Sequence, residues 1–119
     1  MADEKLVARI KEVGGKQAVE EWKSAGKKID LAWANLSETN LREADFYCAS
    51  LYCANLYESY LSGVDFRRAD LRKANLSGAD LRGANLFKAK LFGVNFTAAK
   101  GLSEEMKEKI LNLLRESWE

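Results

Sequence analysis

The chain has 119 residues with 19 Lys+Arg against 18 Asp+Glu, a formal net charge of +1, two Cys, no His and no Pro. That length bounds one compact domain, and the absence of His removes the usual general base, the Ser-His and Cys-His nucleophile pairs and the commonest metal ligand. A composition that is 47% hydrophobic and 31% charged is that of a folded soluble chain, and its near-neutral total argues against bulk nucleic acid or an anionic membrane as a partner.

The stretch Met1-Ala2-Asp3-Glu4-Lys5 shows no apolar targeting segment, and no run approaches a membrane-spanning length, so a cytoplasmic location is expected. Cys48 and Cys53 are then reduced thiols; lying five apart without a CxxC or a His, they predict no zinc site. Residues 3–13 read as an amphipathic helix with Leu6, Val7, Ile10 and Val13 on one side, stopped by Gly14-Gly15. A second helical segment, about 16–25, carries Val19 and Trp22 and ends at Gly26. From Leu31 to Phe96 a Leu or Phe stands at every fifth position, fourteen times in all, and only Phe87 and Phe92 fall outside this register. Gly101 breaks the register where a leucine is due, and Ser103 can then N-cap a helix with Glu104 and Glu105 in its first turn. Met106, Ile110, Leu113, Leu114 and Trp118 share a face of that helix, which either covers the end of the repeats or joins a second subunit. The chain thus divides into an N-terminal helical cap (1–28), a repeat body (29–100) and a C-terminal amphipathic helix (101–119) within one structural domain.

Two residues before each central Leu or Phe stands a small or slim side chain, Ala in nine cases, and one residue before it stands Asp or Asn in 11 of 14. In an extended stretch, residues i−2 and i point to one side and i−1 to the other, which leaves two residues of each five for a turn. A helix is excluded, because steps of five would carry the leucines right round its surface. A coil that turns a corner after every pentapeptide aims each Leu/Phe and each small residue at a common axis, and a narrow interior demands that large and small alternate.

The units Ala44-Asp45-Phe46-Tyr47-Cys48, Ala69-Asp70-Leu71-Arg72-Lys73 and Ala79-Asp80-Leu81-Arg82-Gly83 resemble the A-(D/N)-L-x-x motif of the pentapeptide repeat family, over about residues 29–98. The resemblance implies an all-β solenoid, a right-handed quadrilateral parallel β-helix with four pentapeptides per coil, and hence about 3.5 coils from fourteen repeats. Residues twenty apart would then stack, and Asn35, Asn55, Asn75 and Asn95 would form an amide ladder.

The chain carries few motifs for chemistry. Gly15-Lys16-Gln17 fails as a phosphate loop, with Ile10 where a glycine is needed and Gln17 where Ser or Thr is needed. The Asp series sits beside turns, where carboxylates satisfy backbone donors, and nothing singles out an acid/base pair. No catalytic, cofactor or metal residue is expected, and the chain reads as no enzyme. The informative surface is charged: residues 29–60 sum to −4 and residues 61–100 to +5. Stacking by twenty places Tyr47, Arg67 and Phe87 on one face and Tyr52, Arg72 and Phe92 on the next, with Arg68, Lys73, Lys88 and Lys90 close by. These residues form either a partner-binding surface or a stabilising cation–π ladder.

The leading expectation is a non-catalytic, bacterial-type cytoplasmic scaffold acting through an unidentified protein partner, with a homodimer through the C-terminal helix as a further option. The resemblance implies one alternative, a DNA mimic binding a type II topoisomerase such as DNA gyrase. Against it stand the short chain, the +5 of the distal repeats and the absence of a register-breaking loop. Leu71→Ala, at the centre of the repeat register, is expected to cost on the order of 2–5 kcal/mol and to split the cooperative unit, as read by chemical denaturation.

Overall fold

The computed structural model describes residues 2–118, with side-chain detail through Leu113. Helix α1 (Glu4–Val13) starts at Asp3, whose carboxylate accepts from the N–H groups of Lys5 and Leu6 at 3.1 and 3.2 Å. Helix α2 (Gly15–Ser24) follows after the single residue Gly14, whose φ of 89° only glycine adopts readily. Gly15 is therefore the first residue of α2 rather than part of a breaker. A Cβ there would lie 2.9 Å from Leu41 Cα, so the missing side chain is what lets α2 dock on the first coil. Leu6, Ile10, Ala18 and Val19 are buried together. The Arg9 guanidinium grips the Glu21 carboxylate through Nε and Nη2, both at 2.9 Å, and this holds Glu21 down at a pKa of about 2.

The repeat body shows no long strands. Parallel bridges instead join residues twenty apart, from Asp30 with Ser50 through Asp45 with Asp65 to Asp80 with Lys100. Twenty residues make four pentapeptides, so each coil has four sides, and every side meets its neighbour through one residue, the Asp/Asn slot. Burial follows the five-residue register. Of the fourteen central Leu/Phe positions all but Phe96 are buried, with the Ala, Val and Ser of the i−2 slot between them. Phe46 and Phe66 stack with ring centroids 5.8 Å apart.

Hydrogen bonding explains why five residues suffice. Taking the unit centred on Leu31, the Leu31 N–H donates to Ser50 O at 2.8 Å and the Trp33 N–H donates to Tyr52 O at 2.8 Å, both into the next coil. The Ala34 N–H closes a turn onto Leu31 O at 3.1 Å, and in the opposite direction the Ser50 N–H donates back to Ile29 O at 3.0 Å. One donor of each unit, at i+1, has no backbone acceptor. The Asp or Asn side chain at i−1 accepts it: Asp30 takes the Ala32 N–H at 3.2 Å and Asn75 the Ser77 N–H at 3.0 Å, and all eleven Asp/Asn of this slot do the same. This use of Oδ1 replaces the expected amide ladder, of which one bond forms, Asn55 Nδ2 to Asn35 Oδ1 at 3.4 Å. The turn also fixes the i+2 slot at positive φ in every unit, between 52° at Glu58 and 76° at Gly93. Ten of those fourteen residues are not glycine and carry the strain of the left-handed region.

The two ends close differently. At the first coil the N–H of Asp3 donates to Asp30 O and that of Gly15 to Asn40 O, each at 2.9 Å, so the starts of α1 and α2 supply the donors that an earlier coil would. At the last coil the ladder ends with the Leu81 N–H on Lys100 O, and among the described residues the N–H groups of Leu86 and Leu91 have no backbone acceptor. Gly101 then turns the chain away, since a Cβ there would meet the Arg82 N at 2.6 Å. Helix α3 (Glu104–Trp118) follows, with Ser103 Oγ accepting from the Met106 N–H at 3.2 Å. Met106 and Leu113 pack against the core, and Ile110 lines a cleft with Leu91, Phe92 and Phe96. The side chains of Leu114 and Trp118 lie outside the described residues.

The side-chain cap at i−1 is missing where Ser50, Tyr60 and Lys90 occupy the slot. Asn75→Ala is therefore expected to destabilise the fold by about 1 kcal/mol and Ser50→Asn to stabilise it by roughly 0.5 kcal/mol, both measured as shifts in urea midpoint.

Candidate interaction surface

Because the turn bond runs from i+3 to i, residues i+1 and i+2 stand at a corner of the coil and residues i−2 to i form its side. This reassigns the aromatic and cationic columns. The bond from the Ala49 N–H to Phe46 O places Tyr47 and Cys48 at the corner leading into the side Ala49-Ser50-Leu51, and that from Ala54 N–H to Leu51 O places Tyr52 and Cys53 at the corner leaving it. The columns expected on two adjacent faces are the two edges of a single side.

Along the first edge run Tyr47, Arg67 and Phe87 with Cys48, Arg68 and Lys88; along the second run Tyr52, Arg72 and Phe92 with Trp33, Cys53, Lys73 and Gly93. Between them, outward from the side, stand Asp30, Ser50, Asp70 and Lys90. The N-terminal cap adjoins this side. Lys27 and Lys28 share a groove with Tyr47, Cys48 and Ser50 at the foot of the first edge.

The arginines divide by partner. Arg67 forks onto Asp65 at 2.9 and 2.8 Å while its Cζ lies 5.3 Å from the Tyr47 ring centroid. Arg72 repeats this on Asp70, at 2.9 and 2.8 Å, with Tyr52 5.4 Å away. Each guanidinium thus stacks on the ring of the preceding coil only, and Phe87 is faced by Lys88 Nζ at 5.4 Å instead. Among the described residues Lys28, Arg68, Lys73, Lys88 and Lys90 form no ion pair. Phe87 and Phe92 are 61% and 57% exposed.

Trp33 is the residue that sequence reasoning passed over. It is 67% exposed, holds φ at 67°, and meets Tyr52 edge-on at 6.0 Å. A bulky residue in a left-handed slot is costly, and an exposed one recovers little by burial. Its signal was present in the sequence as the one tryptophan in a turn slot otherwise filled by Glu, Cys, Arg, Lys, Gly and Ala.

The opposite side differs in charge. Its edges carry Glu38, Glu43 and Glu58, with glycines at 63, 78 and 83, and Arg42 and Arg82; Asp80 pairs with Arg82, Glu43 with Lys16 of α2, and the Arg42 guanidinium lies 4.4 Å from the ring of the half-exposed Tyr60. Among the described residues no cluster of His, Cys, Asp or Glu could hold a metal ion, and no helix is long and apolar enough to cross a membrane.

Inward leucines at every fifth residue and bridges at every twentieth define a four-sided parallel solenoid. The sequence pattern of the pentapeptide repeats matches the chain in eight copies over residues 28–63, 49–86 and 59–97, more than half its length, and the chain belongs to the pentapeptide repeat family. Members of this family fold as right-handed quadrilateral β-helices. The chain is similar to HetL of the cyanobacterium Nostoc sp. strain PCC 7120, a pentapeptide repeat protein involved in heterocyst differentiation regulation. Identity is 38%, covering 60% of this chain and 33% of HetL, with a TM-score of 0.57. It is also similar to alr5209, a pentapeptide repeat protein from Nostoc, at 34% identity, with 71% of this chain and 73% of that one covered and a TM-score of 0.50. The chain spans about a third of the length of HetL. No curated protein matches the sequence.

The Arg82 guanidinium, forked onto Asp80 at a corner of the coil, holds that carboxyl down at about 2, and Arg67 and Arg72 lower Asp65 and Asp70 in the same direction. A carboxyl depressed in the folded state stabilises the fold above its unfolded pKa, and that contribution is lost as pH falls through the folded value. Stability measured by urea titration is therefore expected to fall between about pH 4 and pH 2, and Arg82→Gln to flatten that fall.

Proposed function

We propose that this chain is a non-catalytic scaffold that binds a protein partner through the side edged by Tyr47, Arg67, Arg68 and Phe87 on one flank and Tyr52, Arg72, Lys73 and Phe92 on the other. One observation carries the reading: the three most exposed aromatics among the described residues, Trp33, Phe87 and Phe92, share one side of the solenoid with four cations that form no ion pair, Arg68, Lys73, Lys88 and Lys90. Aromatic and arginine side chains are the residue types that dominate binding energy at protein interfaces. The stabilising role of the same residues is compatible with this, because forks onto Asp65 and Asp70 hold Arg67 and Arg72 in fixed positions before any partner arrives.

The body of about 3.5 coils between residues 29 and 100 supplies a rigid display surface in this reading, and residues 1–28 close its first coil. Helix α3 acts as the cap of the last coil, supported by the packing of Met106 and Leu113 on the core, with Ile110 above the cleft. A cytoplasmic setting fits the two free cysteines. A topoisomerase-binding DNA mimic needs an acidic rod, and the side that presents the aromatics is basic.

The test is capture of partners from the native host by the tagged full chain, followed by affinity measurement with the identified protein. Arg67→Ala combined with Arg72→Ala is expected to weaken that affinity at least tenfold while the circular dichroism spectrum is retained. Unchanged affinity with lowered thermal stability would reduce these residues to a structural ladder.

A further inference from the structure

The cations of the aromatic side are arranged in a way that specifies the partner's chemistry. Arg68 and Lys88 follow Cys48 in one column, two coil steps of roughly 4.8 Å each, and Lys28 lies in the groove beside Cys48 at its foot. Lys73 stands on the other edge and Lys90 between the two. With Lys27, Arg67 and Arg72, the side and its edges present eight cations against two carboxylates, Asp30 and Asp70. Asp70 is engaged by Arg72, and the column cations have no ion-pair partner among the described residues. The groove shared by Lys23, Lys27 and Lys28 with Tyr47 and Cys48 extends the positive surface onto the cap, and there Lys23 is held by Asp45 at 3.0 Å.

Such a surface attracts anions, and the rings decide between the kinds of polyanion. Single-stranded nucleic acid is held by bases stacking on open aromatic faces. Here Arg67 lies over Tyr47, Arg72 over Tyr52 and Lys88 over Phe87, and Trp33 sets its ring edge-on to Tyr52. Three of the rings thus carry the protein's own cations, which leaves Phe92 and Trp33 without one, on the same edge but too few for a run of stacked bases. A carboxylate asks for something else, cationic heads without an ion-pair partner, with apolar rings alongside to exclude water. The forks of Arg67 and Arg72 on Asp65 and Asp70 show this same chemistry satisfied within the chain.

Resting on the interaction reading above, we infer that the partner is an acidic polypeptide segment that runs from the Lys28 groove along the Arg68–Lys88 column and sets its carboxylates against Arg68, Lys73, Lys88 and Lys90. An extended segment of about three residues spans Cys48 to Lys88, and a longer one reaches the Lys28 groove.

The test uses the full chain and three fluorescent probes: a peptide of alternating Glu and Ser about twelve residues long, its counterpart with Gln for Glu, and an oligothymidylate of matched length. Binding is read by anisotropy at low salt. The Glu peptide is expected to bind and the Gln peptide not, and Arg68→Glu combined with Lys88→Glu is expected to weaken the Glu peptide by about tenfold or more. Lys5→Glu combined with Lys11→Glu makes the same change in net charge on exposed positions of α1 and is expected to leave it unchanged. Equal binding of the Glu and Gln peptides, retained binding after the Arg68/Lys88 reversal, or tighter binding of the oligothymidylate would overturn the inference. The captured host protein separates the two levels. If it is lost with Arg67→Ala/Arg72→Ala but kept with Arg68→Glu/Lys88→Glu, the acidic partner is wrong and the scaffold reading stands; if no variant alters its affinity, the interaction side itself is wrong.

Discussion

Every backbone N–H of a pentapeptide in this solenoid has to find an acceptor, and the backbone supplies four of the five. The fifth, at i+1, is met in eleven of the fourteen units by the Asp or Asn side chain at i−1. The rest of the repeat follows from that requirement. The chain must leave each side through a turn tight enough for the carboxylate or amide to reach two residues ahead, and such a turn forces positive φ at i+2. A proline would delete one of the five donors in most slots, which is the physical sense of its complete absence.

The inward half of the fold was legible in the sequence because burial acts on one residue at a time: a Leu or Phe every fifth position can mean little else. The Asp/Asn slot was legible as a turn feature, but its amides looked like a ladder, since in sequence nothing distinguishes Asn55 reaching Asn35 from Asn55 accepting from Tyr57 N–H. The structure gives Oδ1 to the turn, at 3.1 Å for Tyr57. The left-handed slot left one trace that went unread, in that Gly63, Gly78, Gly83 and Gly93, the only glycines between residues 29 and 100, all occupy it. Ten other residue choices there obscured the rule.

The proposed interaction side was half legible. Stacking by twenty predicted the right columns, but a period in sequence carries no corners, and only the turn bonds show that Tyr47 and Tyr52 flank the same side. Trp33 escaped because it precedes the columns by a coil and lies two residues after Leu31, in the slot whose geometry was not foreseen. Its exposure and strain are visible only once the backbone is placed.

The unequal traffic of hydrogen bonds between coils gives the solenoid an electrical polarity. Each unit sends two N–H groups toward the C-terminal neighbour and receives one from it, so the uncovered edge of the last coil is donor-rich and that of the first coil acceptor-rich. The sense is opposite to that of an α-helix, whose N-terminal end is the positive one. The caps match it. At the carbonyl-rich edge the starts of α1 and α2 present Asp3 and Gly15 N–H groups within a segment of net charge +2, and at the amide-rich edge lies a segment of net charge −2 beginning its helix with Glu104 and Glu105. The two end segments are therefore not interchangeable plugs: exchanged, each would meet an edge of its own sign.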